Sequence, residues 1–288
     1  PGVQGYRRQN NGFRKRIIPS QTPLKNKGKN MKKLVIFETN NKDGIMSRSK
    51  KFYPDTYSEE DIKQDFLKVR QKVGEKYGFL CLKILQPAQK DVEANLDYPD
   101  GTYKRIDDTC LLKEDLWYET IPADILVIDS NYQNIVIGHR AADCPVIIAE
   151  DRKKQVVAVS HSGALQINRK VPMYTISALQ KEAGSNLNDI YVYIGSCIKK
   201  SSYVYDRYPN WATNASVWEN CIEKKDNLYH IDLVTAIINQ LNIPKDHITI
   251  SPVDTYKNPD YYSHLSEVKK ESKPIGQNFI GAFYKEQR

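Results

Sequence analysis

Two apolar segments that each carry a reactive side chain are the most informative feature of this 288-residue chain. One of them, spanning residues 136–148, places Asp143 and Cys144 just before a strand-like run. The other, spanning residues 156–163, ends a second strand-like run in His161. A thiol and an imidazole held at rigid strand ends can share a metal ion or a proton. The sequence therefore predicts a site centred on Cys144 and His161.

The elements that must position these residues can be predicted from the apolar periodicity of the chain. Helical stripes begin near Ser58, Pro172 and Asp232, and Ser58 with Asp61 forms a capping-box pattern. Several connections are too short to hold a helix, which predicts some antiparallel pairing. We therefore expect one layered α/β domain with a mixed β-sheet and few helices. Strand-like runs are predicted at 34–37, 81–85, 125–128, 135–137, 146–149, 156–159, 190–194, 248–250 and 279–284.

The charge of the chain is concentrated in its first thirty residues. The net charge is +8, and residues 1–30 contain eight Lys and Arg and no acid, which leaves 35 basic against 35 acidic residues elsewhere. This segment has few apolar residues to bury, so we expect a flexible basic tail at 1–30 and the domain at 31–288. A nucleic-acid-binding arm is the alternative function for the tail.

Several functional classes are disfavoured by the composition. No apolar run approaches the roughly 18–20 residues of a membrane span. The five cysteines are odd in number and widely spaced, with no C-x-x-C pair, which favours a reducing cytoplasm over a disulfide framework. Glycine-rich phosphate loops, H-E-x-x-H and G-x-S-x-G are all absent.

The ordered motifs around the two reactive residues resemble a known family. Ala142-Asp143-Cys144-Pro145-Val146, followed by His161-Ser162-Gly163, is similar to the pattern of the laccase-domain proteins, also described as multicopper polyphenol oxidase-like, purine nucleoside phosphorylase or peptidoglycan-editing-factor proteins. Four further motifs match in order, and together they cover residues from about 33 to 284: Ala123–Val127, Ile194–Ile198, His230–Leu233 and the closing signature Thr255-Tyr256, Asn258-Pro259 and Tyr262-Ser263.

The resemblance implies a zinc site in which His, Cys and His leave an open fourth position. It also implies cleavage of purine nucleosides by phosphate, with adenosine deamination as a second activity, and it favours an enzyme of the transferase type. Cys144 and His161 would then be zinc ligands and catalytic residues together with Asp143. Substrate-binding places are implied for four further residues, Arg70, Gly163, Gly195 and His264.

The sequence departs from the family pattern at the first ligand. Where the family has Gln-Val-His, this chain has Gln86-Pro87-Ala88, so the ligand position is Ala88. His139 and His264 are the candidates to complete the zinc site in its place. Arginines that follow the second His and that lie near the family's end are also missing. The copper-oxidase label finds no support, because five histidines cannot supply a multicopper cluster.

Two other interpretations remain open at the level of sequence. Asp143, Cys144 and His161 could act without a metal as a Cys–His hydrolase or deamidase. A relative that has lost catalysis could instead bind a nucleoside or a protein partner. The aromatic residues Tyr203, Tyr205, Tyr208, Trp211 and Trp218 could then stack on a base or form an edge of the core.

Overall fold

The structure of the protein, a computed structural model, describes residues 32–47, 49–79, 83–88, 103–106, 119–132 and 135–286, with only the backbone described at 83–88 and 119–122. The described residues between 32 and 286 belong to one compact unit. The proposed tail and the cysteines Cys81 and Cys110 lie outside the described residues.

The described residues form three β-sheets from fourteen strands. The strands are β1 (Lys32–Glu38), β2 (Lys83–Ala88), β3 (Tyr103–Arg105), β4 (Glu119–Pro122), β5 (Ile125–Asp129), β6 (Ile135–Ala141), β7 (Val146–Asp151), β8 (Val156–His161), β9 (Ile190–Ile194), β10 (Val204–Tyr205), β11 (Ile222–Lys225), β12 (Leu228–Ile231), β13 (Ile248–Ile250) and β14 (Asn278–Glu286). The first sheet has the order β1-β14-β6-β2-β4, and the second has the order β13-β9-β7-β8-β5-β3. A small sheet, β10-β12-β11, completes the set.

Six α-helices are described, and two of them follow from clear local signals. They are α1 (Glu59–Tyr77), α2 (Ala164–Asn168), α3 (Val171–Ala183), α4 (Ala215–Trp218), α5 (Leu233–Leu241) and α6 (His264–Val268). Helix α1 begins with the predicted capping box of Ser58 and Asp61 and ends at Gly78 in the left-handed region. Helix α3 has Pro172 in its first turn and ends at Gly184. Among the described helices, none combines the length and apolar character needed to cross a membrane.

The sheets and helices stack in four layers, because three apolar clusters occupy the spaces between them. Ile137 and Ile280 of the first sheet pack with Ile148 and Val159 of the second. The outer face of the second sheet packs on α3 and α5. The outer face of the first sheet packs on α1 through Phe37, Val73, Val136, Phe279 and Phe283. The strand order puts β7 and β8 in the middle of the second sheet. Cys144 lies just before β7, and His161 is the last residue of β8.

The predicted fold class is confirmed: the protein is a layered α/β structure with mixed sheets and few helices. The three predicted helices are present, and each predicted strand falls on an observed one, although 81–82 lie outside the described residues. The short strands β3, β4 and β10–β12, of two to four residues each, were not predicted.

Candidate functional site

Cys144 and His161 meet at the open end of the second sheet. Val146 pairs with His161 in the antiparallel ladder of β7 and β8, and Ser162 N donates to Pro145 O at 2.8 Å. The same register puts Cys144 opposite Gly163. A Cβ built on Gly163 would lie 2.9 Å from Cys144 Sγ and 3.0 Å from His161 Cε1. The sulfur and the ring carbon therefore lie within about 6 Å of each other, over the bare Cα of a glycine.

His139 joins this pair from the first sheet. Its neighbours Ile137 and Ala141 on β6 face the second sheet, and so His139 faces it as well. The rings of His139 and His161 have centroids 4.6 Å apart and are tilted by 30°. The Nδ1 of His139 lies 2.6 Å from the carbonyl oxygen of Arg140, which can only accept, so Nδ1 carries a proton.

The ligand set does not fit a three-ligand zinc centre. Among the described residues, no three His, Cys, Asp or Glu side chains are grouped so that they could hold one metal ion. His139, Cys144 and His161 share the cleft without converging on a single point. Ala88, at the family's first ligand position, has no side-chain atom that could bind a metal. The parallel pairing of Leu85 with Ile137, continued along both strands, puts Ala88 level with Arg140, next to His139 on the neighbouring strand. No step of the chemistry below is derived through zinc.

Burial keeps both central side chains uncharged. It raises the pKa of the Cys144 thiol to about 12, and the charges of Asp143 and Cys197 act in the same direction. Burial, followed by the neighbouring His139, lowers the pKa of His161 well below its usual value. At neutral pH the cleft therefore contains a protonated thiol and a neutral imidazole. A thiolate–imidazolium pair, which a metal-free nucleophile requires, is opposed by this environment.

Asp143 connects the Cys144 turn to the closing signature of the chain. Its carboxylate accepts hydrogen bonds from Thr255 Oγ1 at 2.7 Å, Ser263 Oγ at 2.9 Å and Leu265 N at 2.7 Å. It is buried and has a positive φ of 79°. These contacts hold the 255–265 segment against the cleft, and the catalytic role expected for Asp143 stays a prediction.

The other residues expected to bind substrate lie in different surroundings. Gly195 N donates to Val146 O, and the space of its missing Cβ is taken by the carboxylate of Glu38, 3.0 Å away. Arg70 is buried on α1, on the outer side of the first sheet. His264 begins α6 with its side chain 62% exposed, 3.6 Å from Glu267. Of these residues, only Gly163 is brought into contact with Cys144 and His161.

Two residues near the cleft, Gln166 and Lys273, were not predicted as part of the site, and Tyr203 was predicted only within an aromatic group that could stack on a base or form an edge of the core. Gln166 Oε1 would lie 3.1 Å from a Cβ on Gly163, and its position in the first turn of α2 was the available signal. Lys273 donates to Thr255 O and Asn258 O at 2.8 Å each; burial lowers its pKa, which the charge of Asp143 opposes. Tyr203 stacks on Trp211; burial raises the pKa of Tyr203, the hydrogen bond with Tyr205 adds to the shift, and Cys144 and Asp143 contribute less.

Comparison with known proteins identifies the same family that the motifs resemble. Residues 104–278 match the family described as multi-copper polyphenol oxidoreductase laccase. A purine nucleoside phosphorylase of Clostridium acetobutylicum is 30% identical over 105 residues, which are 36% of this chain and 44% of that protein. The purine nucleoside phosphorylase YlmD of Bacillus subtilis is 26% identical over 163 residues, 54% of this chain and 57% of that protein. The chain thus spans about half the length of these relatives.

Solved structures with the same fold share little sequence with this chain. YlmD from Geobacillus stearothermophilus superposes with a TM-score of 0.62 at 17% identity, covering 88% of this chain and 92% of that one. The hypothetical protein YfiH of Bacillus licheniformis gives a TM-score of 0.60 at 17% identity, covering 77% and 82%. At this identity the likeness establishes the fold alone.

Proposed function

The chain belongs to the multi-copper polyphenol oxidoreductase laccase family, and on that premise we propose that it binds purine nucleosides and cleaves them with phosphate. The observation that carries the proposal is the meeting of Cys144 Sγ, His161 Cε1 and Gln166 Oε1 around the bare Cα of Gly163. Three polar side chains from separate elements converge there, where a packed core would place apolar ones. Two relatives of this chain are named purine nucleoside phosphorylases.

The charge state of the cleft suits an uncharged ligand. A protonated thiol, a neutral imidazole and an amide can hydrogen-bond sugar hydroxyls and base nitrogens without the desolvation cost of a buried ion. We assign the packing of the purine to Tyr203 and Trp211, whose rings are nearly parallel with centroids 6.4 Å apart, because flat aromatic faces suit a base.

Phosphate, by contrast, needs positive charge, and the family's arginines are missing. Lys273 is the cation that we assign to this task, because it interacts with Asp143, next to Cys144. In the proposed reaction a phosphate oxygen attacks C1′ of the ribose while the bond to the purine nitrogen breaks. The protein's part is to hold the two reactants in line and to exclude water.

The direct test uses the purified full chain with adenosine, inosine or guanosine, with and without inorganic phosphate, and measures released base by chromatography. Inosine formed from adenosine reports the deaminase activity in the same assay. We expect phosphate-dependent base release that falls by about 10²-fold or more in Cys144→Ala and His161→Gln. Cys221→Ala, a buried cysteine in the helix-facing core, is the matched control and retains activity.

Nucleoside binding without turnover would overturn the enzymatic proposal in favour of a binding protein, and absence of both would remove the nucleoside altogether. Zinc dependence, implied by the resemblance, is measured separately by metal analysis of the wild type and Cys144→Ala. Stoichiometric zinc that is lost in the variant would make Cys144 a zinc ligand, with partners other than the described ligand set. The cytoplasmic location expected from the cysteines stays a prediction.

The metal-free Cys–His hydrolase is distinguished by iodoacetamide labelling of Cys144 at neutral pH. The raised pKa of this thiol predicts slow labelling. Fast labelling would support a reactive nucleophile instead.

A further inference from the structure

Cys144 and Cys197 lie at the same level on neighbouring segments of the second sheet. Strands β7 and β9 pair antiparallel, with Ile147 opposite Ile194. Two hydrogen bonds continue this pairing beyond the strand ends: Gly195 N donates to Val146 O, and Ile198 N donates to Asp143 O, each at 2.9 Å. Cys144 and Pro145 lie between these two bonds on one segment, and Ser196 and Cys197 lie between them on the other. Counting from either bond places Cys144 opposite Cys197.

This position is compatible with the geometry of a disulfide. Residues opposite each other in an antiparallel pair have Cα atoms about 4.5–5.5 Å apart, and disulfides span about 4.4–6.8 Å. Cys197 is also among the groups that raise the pKa of Cys144, as expected for close neighbours. Both residues are free thiols in the structure.

The surroundings of the two sulfurs differ in a way that assigns an order of reaction. Cys144 is less buried than Cys197, so an oxidant reaches it first. Cys197 is buried, and its sulfur accepts a contact from Lys199 Nζ at 3.4 Å. Burial raises the pKa of the Cys197 thiol to about 11, and the ammonium of Lys199 acts against that shift, so the lysine increases the small share of thiolate that the second step requires.

We propose that Cys144 and Cys197 are a redox pair that closes into an intramolecular disulfide when the protein meets a low-molecular-weight disulfide. Because burial keeps most of the Cys144 thiol protonated, its sulfur attacks slowly, through the small thiolate fraction, bonds to one sulfur of the oxidant and releases one small thiol. The Cys197 thiolate then attacks the Cys144 sulfur of the mixed disulfide and releases the second small thiol. Two electrons pass from the protein sulfurs to the oxidant, and the two cysteine protons end on the two released thiols.

The bond would draw the Cys144 sulfur from the space over Gly163 towards the opposite strand. Oxidation would thus remove the thiol from the cleft and make the site dependent on redox conditions. Transient disulfides of this kind are a recognised form of redox sensing in reducing compartments. The inference concerns the chemistry of two sulfurs and does not depend on the proposed nucleoside activity.

The test uses a chain in which Cys81, Cys110 and Cys221 are replaced by serine, treated with oxidised glutathione while folded and then with N-ethylmaleimide. We expect an intact mass lower by two hydrogens, no maleimide label, and a peptide cross-linked through Cys144 and Cys197 that dithiothreitol releases. Cys197→Ser in this background should instead retain one glutathione on Cys144. Peptide mapping of the unsubstituted chain provides the same readout if the triple replacement impairs folding.

Lysine variants test the assigned order. Lys199→Met should slow ring closure and accumulate the Cys144 mixed disulfide, whereas Lys200→Met, whose lysine pairs with Glu223, should close at the wild-type rate. Stable glutathione on Cys144 with Cys197 present, or maleimide on both cysteines after treatment of the folded chain, would overturn the proposal.

Discussion

Replacing Gly163 by alanine tests whether the bare Cα over which Cys144 and His161 meet is part of a working cleft. The backbone at this residue has φ −66° and ψ 173°, which any residue can adopt, so the substitution introduces no backbone strain. Its effect comes from the new methyl group alone. That carbon would lie 2.9 Å from Cys144 Sγ, about 0.6 Å inside the roughly 3.5–4.0 Å optimum for such contacts.

The magnitude of the effect follows from three crowded neighbours. His161 Cε1 and Gln166 Oε1 would also lie at 3.0 and 3.1 Å from the methyl carbon, so the side chains must rotate or the start of α2 must shift. Overpacking of this kind typically costs about 1–3 kcal/mol of stability. A displacement of reacting groups by about 1 Å can cost on the order of 10² in rate. We therefore expect a modest loss of stability and a large loss of phosphate-dependent base release.

The matched control is Gly184→Ala, at the end of α3. Gly184 has φ +59°, and its substitution should cost about 1–2 kcal/mol through the left-handed backbone, away from the cleft. Stability is measured by urea unfolding, and activity is measured on each folded variant. The reasoning is refuted if the two alanine variants lose comparable stability and retain equal activity.

Three other predictions each concern one side chain. Asp143→Asn should lower the unfolding free energy by about 1–3 kcal/mol for each donor left unsatisfied, and unchanged urea unfolding would contradict its structural role. Burial raises the pKa of Glu150 in the folded protein. Its contribution to stability is therefore full below the pKa that the group has in the unfolded chain, and it is lost as the pH rises through the pKa of the folded protein. Glu150→Gln should therefore be more stable than wild type at pH 7 and lose that advantage near pH 4, as measured by unfolding at both pH values; a destabilised variant at pH 7 would contradict this. Lys273→Met should raise the KM for phosphate roughly tenfold, from the loss of one charged contact, while exposed Lys257→Met should not.

Local sequence signals predicted much of the fold and the centre of the site. The capping box at Ser58 and the stop at Gly78 depend on residues within one helix, so the sequence alone was sufficient to predict them. The long strands have continuous apolar runs of their own. Cys144 and His161 could be paired because β7 and β8 are consecutive and joined by a short turn, which brings their ends together.

Only the tertiary structure decided which distant residues join that centre. His139 faces the cleft because β6 packs with its odd-numbered residues towards the second sheet, a choice that no pattern within β6 could make. Cys197 lies opposite Cys144 because of the register between β7 and β9, two strands that are separated along the chain by β8 and two α-helices. Asp143 is held by Thr255 and Ser263, more than a hundred residues away. Periodicity shows which face of a strand is apolar, but pairing partners and register depend on how the whole core packs.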